Sequence, residues 1–158
     1  MKRLIPILLS LIVLSSCNKT AIKESRSFVN DTWMRFEPET FDFNINNVDN
    51  CYNIFMTVTI DTNKVKGPEL PLVVNMTSDG GERRMFRTHI TLKDRRGNRV
   101  GKMSGSMQTA ETRVREYVFF NHTGRQTVEV KQATSKYELP GVNNFGIRVE
   151  KAKLVYPE

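Results

Sequence analysis

The 158 residues carry a formal net charge of +7, with two cysteines and two histidines. That length fits one domain and leaves no room for a second. The charge is moderate, short of a nucleic-acid-binding signature, and two histidines are too few for a histidine-built zinc set.

In chain order, the first element is an address. Lys2 and Arg3 precede an apolar run from Leu4 to Leu14, interrupted only by Pro6 and Ser10, and Leu14-Ser15-Ser16-Cys17 closes it. This is the order of a bacterial secretion signal ending in a lipobox. Ser15 and Ser16 are small enough for an extended chain to enter a signal peptidase. Cleavage is expected between Ser16 and Cys17, whose thiol takes a diacylglyceryl thioether and whose freed amine takes an acyl chain. The apolar run is about half the ~20 residues needed to span a bilayer, so an uncleaved anchor is not expected. Two or three acyl chains hold a protein on a membrane where one does so only marginally.

Removing residues 1–16 takes away Lys2 and Arg3 and lowers the net charge to +5. With Cys17 acylated, Cys51 has no partner for an intrachain disulfide, and it is expected buried at a strand start as a small apolar residue. Residues 17–27 are polar and without an apolar period. They are expected to form a tether, with ten extended residues reaching at most ~35 Å.

Residues 28–158 are expected to form a single domain in which period two dominates. Tyr52, Ile54, Met56, Val58 and Ile60 alternate with Asn53, Thr57 and Thr59, leaving Phe55 as the exception. Phe86, Thr88, Ile90 and Leu92 alternate with Arg87, His89, Thr91 and Lys93. Val128 and Val130 alternate with Glu129 and Lys131, and Ile147 and Val149 with Arg148 and Glu150. Each reads as a strand with one buried face. Shorter extended runs are expected at Thr32–Phe36, Phe41–Ile45, Leu72–Met76, Val100–Met107 and Tyr117–Phe120. Trp33 is expected in the core, and a shift in apolar phase suggests a β-bulge near Glu150 and Lys151. Gly67-Pro68, Asp79-Gly80-Gly81, Arg96-Gly97-Asn98, Thr123-Gly124 and Pro140-Gly141 supply turns. Eight or nine short strands with little helix predict an all-β, antiparallel sandwich, immunoglobulin-like or jelly-roll-like.

The order of the segments is also distinctive. Val48-Asp49-Asn50-Cys51-Tyr52 opens a strand, and Thr91-Leu92-Lys93-Asp94-Arg95-Arg96-Gly97-Asn98-Arg99-Val100-Gly101 forms a hairpin. Leu139-Pro140-Gly141-Val142, Phe145-Gly146 and Ile147-Arg148-Val149-Glu150-Lys151 close the chain. Over residues 28–151 this succession resembles the gliding-motility lipoproteins of the GldH type found in Bacteroidetes. The resemblance implies an envelope lipoprotein without catalytic residues to carry over.

The residues support little chemistry by themselves. His89 and His122 have no metal-ligand spacing, and Ser104-Gly105-Ser106 is not a nucleophile elbow. Glu37 and Glu39 flank Pro38 as a carboxylate pair on a loop. No catalytic set, metal or cofactor is expected apart from the acyl chains on Cys17, and no enzyme activity. Charge is unevenly spread: residues 82–115 hold ten basic and three acidic side chains, against six and nine in residues 18–81. Arg87, His89, Lys93, Arg95, Arg96 and Arg99 are therefore the candidate partner-binding residues, on a basic finger for an envelope protein, an acidic glycan or lipid phosphates. A glycan-binding accessory lipoprotein is the alternative reading, with Tyr117, Phe119 and Phe120 as possible exposed rings. Asn18 and the absence of an acidic cluster after Cys17 favour the periplasmic face of the outer membrane.

Overall fold

A computed structural model describes residues 19–153. Eleven strands run through them: β1 (Thr20–Ser27), β2 (Thr32–Met34), β3 (Glu39–Ile45), β4 (Cys51–Asp61), β5 (Glu69–Ser78), β6 (Arg83–Thr91), β7 (Lys102–Ser104), β8 (Met107–Phe119), β9 (Gly124–Gln132), β10 (Glu138–Pro140) and β11 (Val142–Lys151). They form an antiparallel sandwich of two large sheets, ordered β1-β11-β4-β8-β7 and β3-β9-β5-β6, with a two-stranded ribbon of β10 and β2.

The period-two readings hold because Cβ atoms alternate across a strand. Tyr52, Ile54, Met56, Val58 and Ile60 of β4 are buried against Leu70, Leu72, Val74 and Met76 of β5 in a shared core that includes Val128, Val130, Phe145, Ile147 and Val149. Fully burying each such side chain contributes about 1.5–3 kcal/mol. Trp33 is buried as expected, stacked on Phe28 at 5.0 Å between centroids and tilted against Phe145 at 4.9 Å. Cys51 is 2% exposed at the first position of β4. Phe55, the exception to the alternation, lies on the outer face under the Arg148 guanidinium, 3.9 Å from its ring centroid. Arg148 also binds Glu111 at 2.8 Å and Glu150. Burial pulls the Arg148 pKa down, but hydrogen bonds to these two carboxylates outweigh it and leave it raised. The closing Ile-Arg-Val-Glu segment thus alternates core residues with an ionic cover for Phe55.

Four expectations change. Residues 20–27 are not tether but strand, because β1 pairs with β11 from Thr20↔Glu150 to Ser27↔Asn144. Val100–Met107 is not one strand: Gly105, at φ +58, turns the chain between β7 and β8. The bulge expected in β11 near Glu150 lies across the ladder, at Ala21 of β1, between the pairs Thr20↔Glu150 and Ile22↔Val149. β11 itself pairs with β4 without interruption from Asn144 to Lys151. Finally, of the run Tyr117–Phe120 the first three residues are the end of the 13-residue β8, whose middle the sequence did not mark, and Phe120 lies just past it.

Register decides what sits at each end of the sandwich. At one end Thr20 pairs with Glu150, Glu150 with Asn53, Lys151 with Tyr52, and Tyr52 with Val118. At the other, Ser27 pairs with Asn144, Ile60 with Val142 and Asp61 with Met107. The sheets meet along β6 and β8, where Arg84 Nη1 donates to the Phe119 carbonyl at 2.7 Å and the Thr91 N–H donates to Thr112 Oγ1 at 3.0 Å.

Candidate functional site

The basic hairpin, residues 92–101, leaves the sandwich at the end marked by Asp61 and Met107. Its neck is closed by the bridge Lys93↔Arg99 and its tip by Asp94. The Asp94 carboxylate accepts from the backbone N–H groups of Arg96 (2.8 Å) and Asn98 (2.9 Å) and from Asn98 Nδ2 (3.2 Å). The Asn98 N–H foremost, with burial opposing, holds the Asp94 carboxyl below its ordinary range. Gly97 sits at φ +85, in the left-handed region a tight tip needs.

Beneath the tip lies a buried amide that sequence reasoning missed. Gln108 is 0% exposed, and its Nε2 donates to the carbonyls of Leu92 and Val100, both at 2.7 Å. Its Oε1 accepts from Arg99 Nη1 at 3.0 Å, while Arg99 Nη2 donates to the Val65 carbonyl at 3.0 Å. No local signal marks such a residue; a glutamine between threonine and methionine reads as surface until its strand is paired.

This geometry sorts the candidate residues. Arg95 and Arg96 are exposed at the tip. Lys93 is half-buried at the neck, and Arg99, also half-buried, turns its guanidinium inward as a clamp on Gln108 and the Val65 carbonyl. Arg87 and His89 are exposed on β6, opposite Val73 and Pro71, with His89 Nε2 3.7 Å from Glu69 Oε2. They border the hairpin along the sheet and do not share its tip. Ser16 and Cys17 lie outside the described residues.

The remaining features lie apart. His122 packs against Gly80, where an added Cβ would meet its ring at 2.7 Å. Glu37 and Glu39 line an open depression with Glu138 and Trp33. Burial raises the Glu39 pKa, Arg26 opposes it and Glu37 adds to it. Among the described residues no group of three or more His, Cys, Asp or Glu side chains could hold a metal ion, and no helix is long and apolar enough to cross a membrane. Of the three aromatic residues expected near one another, Tyr117 and Phe119 are exposed and Phe120 is buried against Phe43 and Tyr52.

Residues 20–149 match the family model described as GldH lipoprotein. The chain belongs to the GldH lipoprotein family. The match begins at Thr20, the first residue of β1, so the family's domain includes the strand that the sequence alone presents as tether. It ends within β11 and spans both sheets, the hairpin and the ribbon. No curated protein and no solved structure matches the chain.

Proposed function

We propose that this GldH-family protein is an outer-membrane lipoprotein, acylated on Cys17 and facing the periplasm, that acts without catalysis as a structural or docking component of an envelope assembly. The observation that carries this reading is the separation of the two ends. Thr20 opens β1 three residues after Cys17, whereas the hairpin with Arg95 and Arg96 leaves the opposite end. The 11 residues of β4 that lie between them span about 35 Å at ~3.3 Å per residue. A domain held by one end and charged at the other suits presentation of the tip to an acidic surface on another envelope protein. Lipid phosphates of the anchoring leaflet are the poorer fit for a tip on the far end.

The test has two arms. Radiolabelled palmitate is expected to enter the wild-type chain and not Cys17→Ser, which should leave the membrane fraction. Pull-down from solubilised envelope is expected to lose partners with Arg95→Glu and Arg96→Glu together; unchanged partners remove the finger from the model. Arg99 is left intact because it clamps the hairpin base.

A glycan-binding role has one observation in its favour. Phe36 and Tyr137 form an exposed ring pair, 5.7 Å between centroids, beside the β2–β10 ribbon. Retention on a polysaccharide gel that falls with Phe36→Ala would support it.

A further inference from the structure

At most about 10 Å of extended chain separates Cys17 from Thr20. Thr20 lies in one cross-sheet row with Glu150, Asn53 or Tyr52, and Val118, and three strand spacings of ~4.8 Å put Val118 about 15 Å away across the sheet. An acylated Cys17 therefore brings the C-terminal end of β8 close to the bilayer.

That end of β8 is irregular. Its register to β4 shifts twice, at Val114 and again at Glu116 and Tyr117. Tyr117 sits at φ +51, uncommon for a bulky residue, with its N–H donating to Asn53 Oδ1 at 3.2 Å. Bulges re-aim side chains. Here Tyr117 and Phe119 stand 47% and 45% exposed, next to Met85 of β6 at 75%. One open depression joins these three with Phe86 and Arg115, whose guanidinium lies 4.2 Å from the Phe86 centroid.

Charge at this end is one-sided. Asp79, Glu82 and Glu116 are each paired with an arginine: Arg125, Arg84 and Arg113. Lys19, Arg83, Arg115 and Lys151 have no carboxylate within ion-pair distance among the described residues, and against these four stand two carboxylates, Asp49 and, in the cross-sheet row of Arg83, Asp42. Aromatic rings and methionine bordered by unneutralised cations match the headgroup zone of a phospholipid bilayer, where rings sit at the interface and cations meet phosphates. A second copy docked through the same patch would bring these cations against their own kind.

We infer that the end of the sandwich bearing Met85, Arg115, Tyr117 and Phe119 is a bilayer-docking surface that stands the domain upright on the membrane, with the basic hairpin directed away. The inference rests on Cys17 being the anchor. Because the anchor already holds the protein at the membrane, the patch sets orientation rather than affinity.

The test uses the full mature chain, acylated, in vesicles of phosphatidylethanolamine and phosphatidylglycerol. In a Cys51→Ser background, an environment-sensitive fluorophore is placed at Met85→Cys or, for comparison, at Arg95→Cys, and a quencher is carried on the lipid. The Met85 probe is expected to be quenched several-fold more than the Arg95 probe. Tyr117→Ser with Phe119→Ser is expected to erase that difference, which also shows that the fluorophore is not inserting by itself. Chains that float with the vesicles but show equal quenching at both positions overturn the docking surface and leave the anchor standing. A Met85 probe shielded from water yet untouched by the lipid quencher indicates protein on the patch and overturns it too. Chains that do not float overturn the anchor, and the docking surface with it.

Discussion

Replacing Gln108 with methionine tests whether the hairpin is held by its base rather than by its tip. The substitution keeps volume and burial but removes both donors and the acceptor. The Val100 carbonyl then loses the bond from Gln108, while the Leu92 carbonyl keeps the Val100 N–H at 3.1 Å. Arg99 loses one acceptor and retains the Val65 carbonyl. Leaving the part-buried Val100 carbonyl without this donor costs about 1–2 kcal/mol, and the weakened contacts of the buried Leu92 carbonyl and of Arg99 add to it, so Gln108→Met is expected to destabilise by about 2–3 kcal/mol. At roughly 3–5 °C per kcal/mol for a domain of this size, Tm should fall by about 6–15 °C. Urea unfolding of the acyl-free domain, followed by intrinsic fluorescence, measures it. Arg95→Glu with Arg96→Glu should stay within about 0.5 kcal/mol, since both residues are exposed. Combining Gln108→Met with Arg99→Met should show coupling of at least about 0.5 kcal/mol, because the side chains are bonded. A Gln108→Met cost below about 0.5 kcal/mol refutes the argument that a buried amide organises the hairpin.

Two further outcomes follow from the same region. Gly101→Ala places a Cβ 2.2 Å from the Thr109 carbonyl oxygen at φ +83, so the hairpin base must move, and circular dichroism melts should show a loss of at least about 2 kcal/mol. Asp94 titrates below its ordinary value of 3.8, so the order it lends the tip is complete above that pH and is lost as pH falls through the lower, folded-state value. NMR amide exchange at Arg96 and Asn98 should accelerate only under that acid condition, and Asp94→Ala should produce the fast behaviour at neutral pH.

The strands most legible in the sequence are those covered on one face along their whole length. β4 buries alternate residues from Tyr52 to Ile60, all of them apolar, and β9 does so at Val128 and Val130, so these side chains report their own side, whereas the buried Gln126 and Gln132 of β9 do not. β1 escaped because it is an edge strand: Ile22 is its one buried residue, and its partner is recognised through backbone groups that every residue carries. The centre of β8 escaped for a different reason. Its inward positions are Gln108, Ala110 and Thr112, none of them a large apolar residue, and beyond them the bulges at Val114 and at Glu116–Tyr117 shift the phase. Arg99 looks like Arg95 and Arg96 in sequence; only the approach of β8, carrying Gln108, turns it inward.

What residues 1–158 settled unaided is local in origin. Side chains alternate across an extended backbone, glycines mark reversals, and the order of charge, apolar run and cysteine in residues 1–17 is read without reference to anything distant in the chain. Which elements share an end of the sandwich is decided by pairing between segments as remote as Thr20 and Glu150, made through peptide groups that carry no residue identity. That pairing opens β1 at Thr20, puts Tyr117 and Phe119 at the same end of the sandwich as Thr20, and sends the arginine hairpin to the opposite end.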